Sequence, residues 1–356
     1  MNQPFVYHIM IDRFVSCDPK RKGRCFKGGN LRGIINKLDY IQSLGCNGIL
    51  LTPFYVSNEY HGYHILSFEQ VDPHFGNWND VDMLVVAAHR RGMMVMADFV
   101  ANHCHINNPI VEKNRNWFKR RKDGSFVGLF GIKSLPQFNL DIVGAQNFII
   151  EKGKELCSHG FDAIRLDYAK GPSLTFWKRF KEEIKKSYPN VLLVGEIWGT
   201  PIGKHLDSKL ANKVMSKRIS VQEAWQMNYI GIFDGVIDFE YHSIICNAIR
   251  TKQGILRNKQ LLNTLEMHFS HYAGAADFQL WLFLDNHDTN RFLFECNGDI
   301  ALLNEAILLT KQLNRPFLYY YGTEKGMSHE TSIFSKIPHA DEQVRKCMEW
   351  NNKTII

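Results

Sequence analysis

Apolar positions along this chain follow two alternating rhythms. Short runs of strand length, rich in β-branched and aromatic residues, occupy positions 5–11, 47–52, 93–99, 161–167, 191–196, 235–239, 278–284 and 316–321. Between them lie longer stretches at helical spacing. Leu31, Ile34, Ile35, Leu38 and Ile41 mark one over 31–44, stopped at Gly45, and others cover 80–91, 145–158 and 173–187, with a last helix expected at 340–350. The alternation predicts an α/β fold: eight parallel strands, each followed by helix, closed into a (β/α)8 TIM barrel. An open doubly wound sheet is the alternative, but no G-x-G-x-x-G follows the first strand. The stretch after the second strand, rich in Tyr, His and Gly, reads as a loop. Residues 104–140 break the rhythm with a turn at Asp123-Gly124 and several glycines and aromatics, which predicts a small β-rich lid inserted after the third strand. The barrel is then 1–103 with 141–356, and the lid 104–140.

Polar residues gather where the strands end. The fourth strand leads into G-F-D-A-I-R-L-D-Y-A-K at 160–170, and residues two apart on a strand share a face, so Arg165 and Asp167 project together. A guanidinium beside a carboxylate keeps it ionised; a solvated ion pair at a strand edge has the same sequence signature. The third strand brings Asp98, Asn102 and His103, the fifth Glu196 followed by Trp198, the seventh His287 and Asp288. In a barrel of this kind these ends share one face. Two carboxyl groups in different protonation states are what glycoside cleavage requires, one for the anomeric carbon and one to protonate the leaving oxygen. Asp167 fits the ionised partner. Glu196, on an apolar strand beside Ile197 and Trp198, fits an acid whose pKa burial raises, and Asp288 fits a grip on sugar hydroxyls that tightens in the transition state.

Composition narrows the picture further. The 356 residues are 45% apolar, 22% charged and 12% aromatic, and the net charge of +7 comes from scattered Lys and Arg, which is no nucleic-acid footprint. No apolar run approaches membrane-spanning length, and the first fourteen residues lack the basic start of a signal peptide. Eight cysteines without C-x-x-C pairs or metal spacing favour free thiols and a cytoplasmic location, with Cys17 and Cys25 as the pair able to bridge in an oxidising compartment.

Taken together, the motifs resemble those of the α-amylase family of glycoside hydrolases and transglycosidases. Residues 98–103, 160–170, 195–196 and 284–288 are similar to its first, second, third and fourth motifs. His61-Gly62-Tyr63 and the V-D-P-H-F-G at 71–76 resemble the loop carrying its sugar-stacking tyrosine, L-P-Q-F-N at 135–139 the end of its lid, and Y-Y-G-T-E-K-G at 320–326 its eighth strand. The resemblance implies a retaining double displacement on α-1,4-glucosidic bonds of starch-like glucans or malto-oligosaccharides. Asp167 would be the nucleophile, Glu196 the acid/base and Asp288 the transition-state stabiliser. Arg165, Asp98, His103, His287 and Tyr63 would line the subsite of the attacked glucose. Glycosyl transfer to another sugar uses the same residues, and a catalytically silent sugar-binding barrel is the reading from a different class.

Three departures accompany the resemblance. Relatives usually carry an antiparallel β domain after the barrel, whereas few residues follow Trp350 here, as in a minimal member or a fragment. No cofactor is required for the chemistry. The resemblance does imply a structural calcium held partly by Asn102, with Glu112, Asp123 and Asp141 as lid carboxylates, and a second calcium loop near Asp12 and Asp18, but Lys and Arg crowd both. Gly171 stands where many amylases have histidine. Lys170 is an acceptor-side contact or a snorkelling surface lysine, and Trp198 a sugar platform or a packed loop residue.

Overall fold

The computed structural model describes residues 3–199, 214–216, 219–249 and 254–355; the remaining positions of the expected barrel segments lie outside them. Ten strands are named here in chain order: β1 Phe5–Ile9, β2 Gly48–Leu51, β3 Tyr55–Ser57, β4 Ile65–Val71, β5 Met94–Phe99, β6 Ala163–Leu166, β7 Leu192–Gly195, β8 Gly235–Ile237, β9 Gln279–Phe283 and β10 Phe317–Tyr320. All but β3 and β4 close into a barrel in the order β1, β2, β5, β6, β7, β8, β9, β10. The eight expected strands are these eight, each trimmed at its ends, and the described pairings are parallel. Strands covered on both faces read as unbroken apolar runs, which is why Gly-Ile-Leu-Leu of β2 is buried at every position. Among the described residues no helix is long and apolar enough to cross a membrane.

Two compact units divide the chain, one of residues 7–194 and one of residues 1–6 with 195–356. In the first, β2 pairs with β5 from Gly48↔Met94 to Leu51↔Ala97, and β5 with β6 from Met96↔Ala163 to Phe99↔Leu166. Helix Trp78–His89 starts at a capping box in which Asn77 and Asp80 satisfy each other's backbone N–H groups. Gly153 lets helices Val143–Ser158 and Leu174–Ser187 meet, since a Cβ there would fall 2.7 Å from Phe180 Cζ.

Three expectations for this unit change. The helix over 31–44 is two, Leu31–Ile35 and Leu38–Ser43, broken where Lys37 leaves helical geometry (φ −117°, ψ 5°). The break is short enough that the apolar spacing runs through it. The Tyr/His/Gly loop contains the antiparallel hairpin β3–β4, whose register shifts hide its alternation, with Asp72 Oδ2 accepting from Ser57 N at 3.0 Å. In 104–140 there is no ladder but isolated bridges, Phe118↔Phe138, Arg120↔Phe126 and Gly128↔Pro136, around helix Pro109–Lys113. Backbone bonds still join these segments, Lys119 N to Gln137 O and Val127 N to Lys119 O both at 2.9 Å, and Phe118 and Phe138 stack 4.6 Å apart.

Cys25 is a free thiol directed at Lys22 O, 3.5 Å away, while Cys17 is disulfide-bonded, so the Cys17–Cys25 bridge does not form and the free-thiol expectation fails at Cys17.

In the second unit β8 pairs with β9 and β9 with β10, and Phe5 stacks on Phe317 at 5.2 Å. The helix expected at 340–350 is a 3-10 turn, Ala340–Val344. Its entry residue His339 is left-handed (φ 59°), and the carbonyls that would continue it accept from side chains, Val344 O from Tyr320 and Lys346 O from Tyr321. Cys347 is disulfide-bonded, a second exception to the free-thiol expectation.

Candidate active site

In the first unit, the β5–β6 register sets Asp98 opposite Arg165. Arg165 Nη1 donates to both oxygens of Asp98, at 2.7 and 2.8 Å, and to Asp167 Oδ1 at 2.9 Å. Tyr63 donates its hydroxyl to Asp98 Oδ2 at 2.6 Å, and its ring centre is 5.8 Å from the guanidinium carbon. Arg165 is 1% and Asp167 7% exposed, so the solvated strand-edge reading of this pair does not hold. One cation serves two buried carboxylates, and such an arrangement survives only with full hydrogen bonding. Asp98 anchors the arginine through both of its oxygens, and Asp167, one residue beyond β6, is steered by it.

Directly after Asp167 the backbone turns through Tyr168 at φ 42°, a strained conformation for a bulky residue. It starts a turn closed by Gly171 N to Tyr168 O at 2.9 Å. The phenol of Tyr168 sits edge-on to Phe130, and burial followed by the charge of Asp167 pushes its pKa up. A Cβ on Gly171 would fall 2.3 Å from Asn102 Oδ1 and 2.8 Å from Tyr168 Cε1. The histidine common in similar motifs has no room here. Lys170, in the same turn, is half-buried and its pKa is lowered by that burial.

His103 is buried, with Nε2 3.1 Å from the carbonyl of Tyr63, which fixes that nitrogen as the donor. Burial, then the nearby His64, depresses its pKa to about 3, so the ring is neutral and its buried Nδ1 has no hydrogen-bond partner.

Asn102 is also buried, and neither of its amide atoms has a partner. The residues around a calcium do not assemble on it. Glu112 pairs with Arg115 at 3.0 Å in solvent, Asp123 binds Ser125, and Asp141 is exposed. Asp12 accepts from the backbone of Lys27 and Gly28 and pairs with Arg13, while Asp18 accepts from Lys20 N. Among the described residues no three His, Cys, Asp or Glu could hold a metal. Of the side chains named for calcium, Asn102 alone is left with a buried oxygen that has no partner; the carboxylates are engaged elsewhere or exposed.

In the second unit, Glu196 is buried and directly follows β7. Its loop is pinned by Gln222 of helix Val221–Met227: Gly199 N donates to Gln222 Oε1 and Gln222 Nε2 to Ile197 O, both at 2.6 Å. Trp198 lies flat on Phe239, ring centres 4.9 Å apart, which makes it a packed residue on that face. Asp288 is held by a residue that sequence reasoning missed. Arg345 donates to Asp288 Oδ1 at 2.7 Å, to Asp341 at 2.6 Å and to the His287 carbonyl at 2.9 Å. His287 Nε2 is 3.0 Å from Asp288 Oδ2. Nothing local in sequence ties Arg345 to Asp288; Gln222 and the left-handed Tyr168 were equally silent.

A buried carboxylate–guanidinium group at a barrel strand end, with further carboxylates directly after two other strands, is suited to glycoside cleavage. The family profile described as alpha amylase, catalytic domain, matches residues 8–129 and 138–355. The chain belongs to the α-amylase family. It is 32% identical over 98% of its length to Alpha-amylase 2 of Dictyoglomus thermophilum and 26% identical, again over 98%, to Neopullulanase 2 of Thermoactinomyces vulgaris. It spans 60% and 59% of those relatives. Among solved structures, the α-amylase of Geobacillus thermoleovorans complexed with acarbose aligns with 99% of this chain and 75% of that one, at 26% identity and a TM-score of 0.76.

Proposed function

We propose that this chain carries the catalytic barrel of a retaining α-glucan hydrolase acting on α-1,4-glucosidic bonds of starch-like or malto-oligosaccharide substrates. The observation that carries the reading is Asp167 itself: a buried carboxylate at a strand end, oriented by Arg165, which Asp98 in turn anchors. Asp167 attacks the anomeric carbon as Glu196 gives its proton to the leaving oxygen; water, deprotonated by Glu196, then displaces Asp167 and frees the sugar. C-terminal strand ends share one face of such a barrel, which supports assigning Asp167, Glu196 and Asp288 to one sugar. Asp288, gripped by Arg345, suits hydroxyl binding that strengthens as the ring gains positive charge. His103, neutral, offers Nδ1 as an acceptor for a sugar hydroxyl, its other nitrogen held by the Tyr63 carbonyl. No cofactor enters the chemistry.

The names of relatives, among them cyclomaltodextrinase and maltogenic α-amylase, support an α-glucan substrate. Turnover of a nitrophenyl maltoside by the parent, abolished in Asp167→Asn and Glu196→Gln, tests the reading; equal turnover in either variant sinks it. Early products longer than maltotetraose, when that sugar is supplied, would replace hydrolysis by glycosyl transfer. A cytoplasmic residence is supported by six free cysteines and by a relative named as an intracellular maltogenic amylase, and opposed by the disulfide-bonded Cys17 and Cys347. Thiol alkylation in intact cells, before and after reduction, decides between them.

A further inference from the structure

Within the unit of residues 7–194 a cavity of about 250 Å³ opens between β4, the lid helix Pro109–Lys113 and helix Val143–Ser158. It shares no lining residue with the Asp98, Arg165 and Asp167 group. Three aromatic rings give it an apolar wall: Phe148 lies edge-on to Phe68 at 5.5 Å and is 6.0 Å from Trp117. Asn108 fixes the frame, since it is buried, accepts from Ile110 N at 3.1 Å and donates to Ile65 O at 3.3 Å. Gly144 makes room for the indole; a Cβ there would fall 2.7 Å from Trp117 Nε1.

The polar groups on the rim are uncommitted. The Lys113 ammonium and the Asn114 side-chain amide have no partner among the described residues, whereas the one carboxylate of the cavity, Glu69, is paired with Lys152 at 2.9 Å. An anion would find a single free cation, and an apolar ligand would engage neither rim donor. A ligand with an apolar face and a ring of hydroxyls, which both give and accept hydrogen bonds, matches the wall and the rim together. We propose that this cavity is a second carbohydrate site, in which one or two glucose units of an α-glucan stack on Trp117 and bond to Lys113 and Asn114. The substrate named here rests on the function proposed above. For a polymeric substrate a second foothold on the same chain raises the effective concentration at the catalytic carboxylates, and a short substrate gains nothing from it.

The test is calorimetric titration of maltotriose into the Glu196→Gln protein, with Trp117→Ala added in a second protein. Two sites in the first and one in the second is the expected result, with the apparent KM of Trp117→Ala for soluble starch raised about tenfold or more and its turnover of nitrophenyl maltoside unchanged. Should Trp117→Ala fail to fold, Lys113→Ala with Asn114→Ala, both on the rim, takes its place and is expected to weaken the second site about tenfold. A single maltotriose site in Glu196→Gln, or a second site that survives these changes, overturns the proposal. A parent protein inactive on every α-glucan that still binds maltotriose at Trp117 would sink the hydrolase reading and leave this site standing.

Discussion

Two buried ionic groups in this molecule have the same formula, one cation and two carboxylates, and opposite characters. In the first unit Arg165 serves Asp98 and Asp167. In the second His268 lies between Glu223 and Asp238, Nδ1 2.7 Å from one and Nε2 2.8 Å from the other, with His271 also on Glu223 and Gln226 on Asp238. Both ring nitrogens face carboxylates, so both donate and the ring is an imidazolium. Burial alone would lower its pKa; Asp238 and Glu223 overcome that and raise it to about 10. An arginine cannot be discharged at any working pH, whereas this histidine can. The first group orients a carboxylate at a strand end for chemistry. The second joins helix Val221–Met227, the end of β8 and helix Lys259–Ser270.

The widest separation between the groups is expected in Asp167→Asn, with kcat down roughly 10⁴-fold or more and the unfolding midpoint nearly unmoved; a large loss of stability instead would make this group structural too. His268→Ala should do the reverse. Leaving Glu223 and Asp238 buried without their cation costs about 3–5 kcal/mol, read by urea denaturation, with activity per folded molecule retained. The pH dependence follows with a definite sign. The folded pKa of about 10 lies above the ordinary 6.5, so this stabilisation is complete below pH 6.5 and is lost as pH rises through 10. Thermal midpoints of parent and His268→Ala should therefore converge towards alkaline pH, and a constant gap would contradict the imidazolium assignment.

Gly171→His, which restores the residue of similar motifs, should cost roughly 1–3 kcal/mol, because its Cβ collides with Asn102; an unchanged midpoint would show that the turn after Asp167 yields. The smallest effect is expected in Gln222→Ala. Its amide links the two characters, bonding Gln226 on one side and the backbone of the Glu196 loop on the other. Loosening that loop should lower kcat about tenfold with little change in KM, and Gln222→Glu should recover part of it by keeping the bond from Gly199 N.

How legible each group was differs for the same reason. Arg165 and Asp167 are two apart on one strand, and period-2 geometry puts them together without any tertiary information. His268, Glu223 and Asp238 come from three segments, and their sequence neighbourhoods give no hint of one another. The same holds for Arg345, whose hold on Asp288 exists only because the segment expected as a helix uses its carbonyls on Tyr320 and Tyr321. The hairpin β3–β4 was hidden by its register shifts, and the bridge at Cys17 by a loop that turns Cys25 away.

What the sequence by itself determined was the alternation of strands and helices, hence the barrel, and the residues at the strand ends that carry the family's motifs, because both depend on local periodicity and short spacing. Tertiary structure alone decided how those residues are held: Asp98 as the anchor of Arg165, Arg345 on Asp288, Gln222 under the Glu196 loop, the crowded space at Gly171, and a buried Asn102 whose amide has no partner. Each of these depends on distances between segments far apart in the chain, which burial and hydrogen-bond satisfaction fix only after the chain has closed on itself.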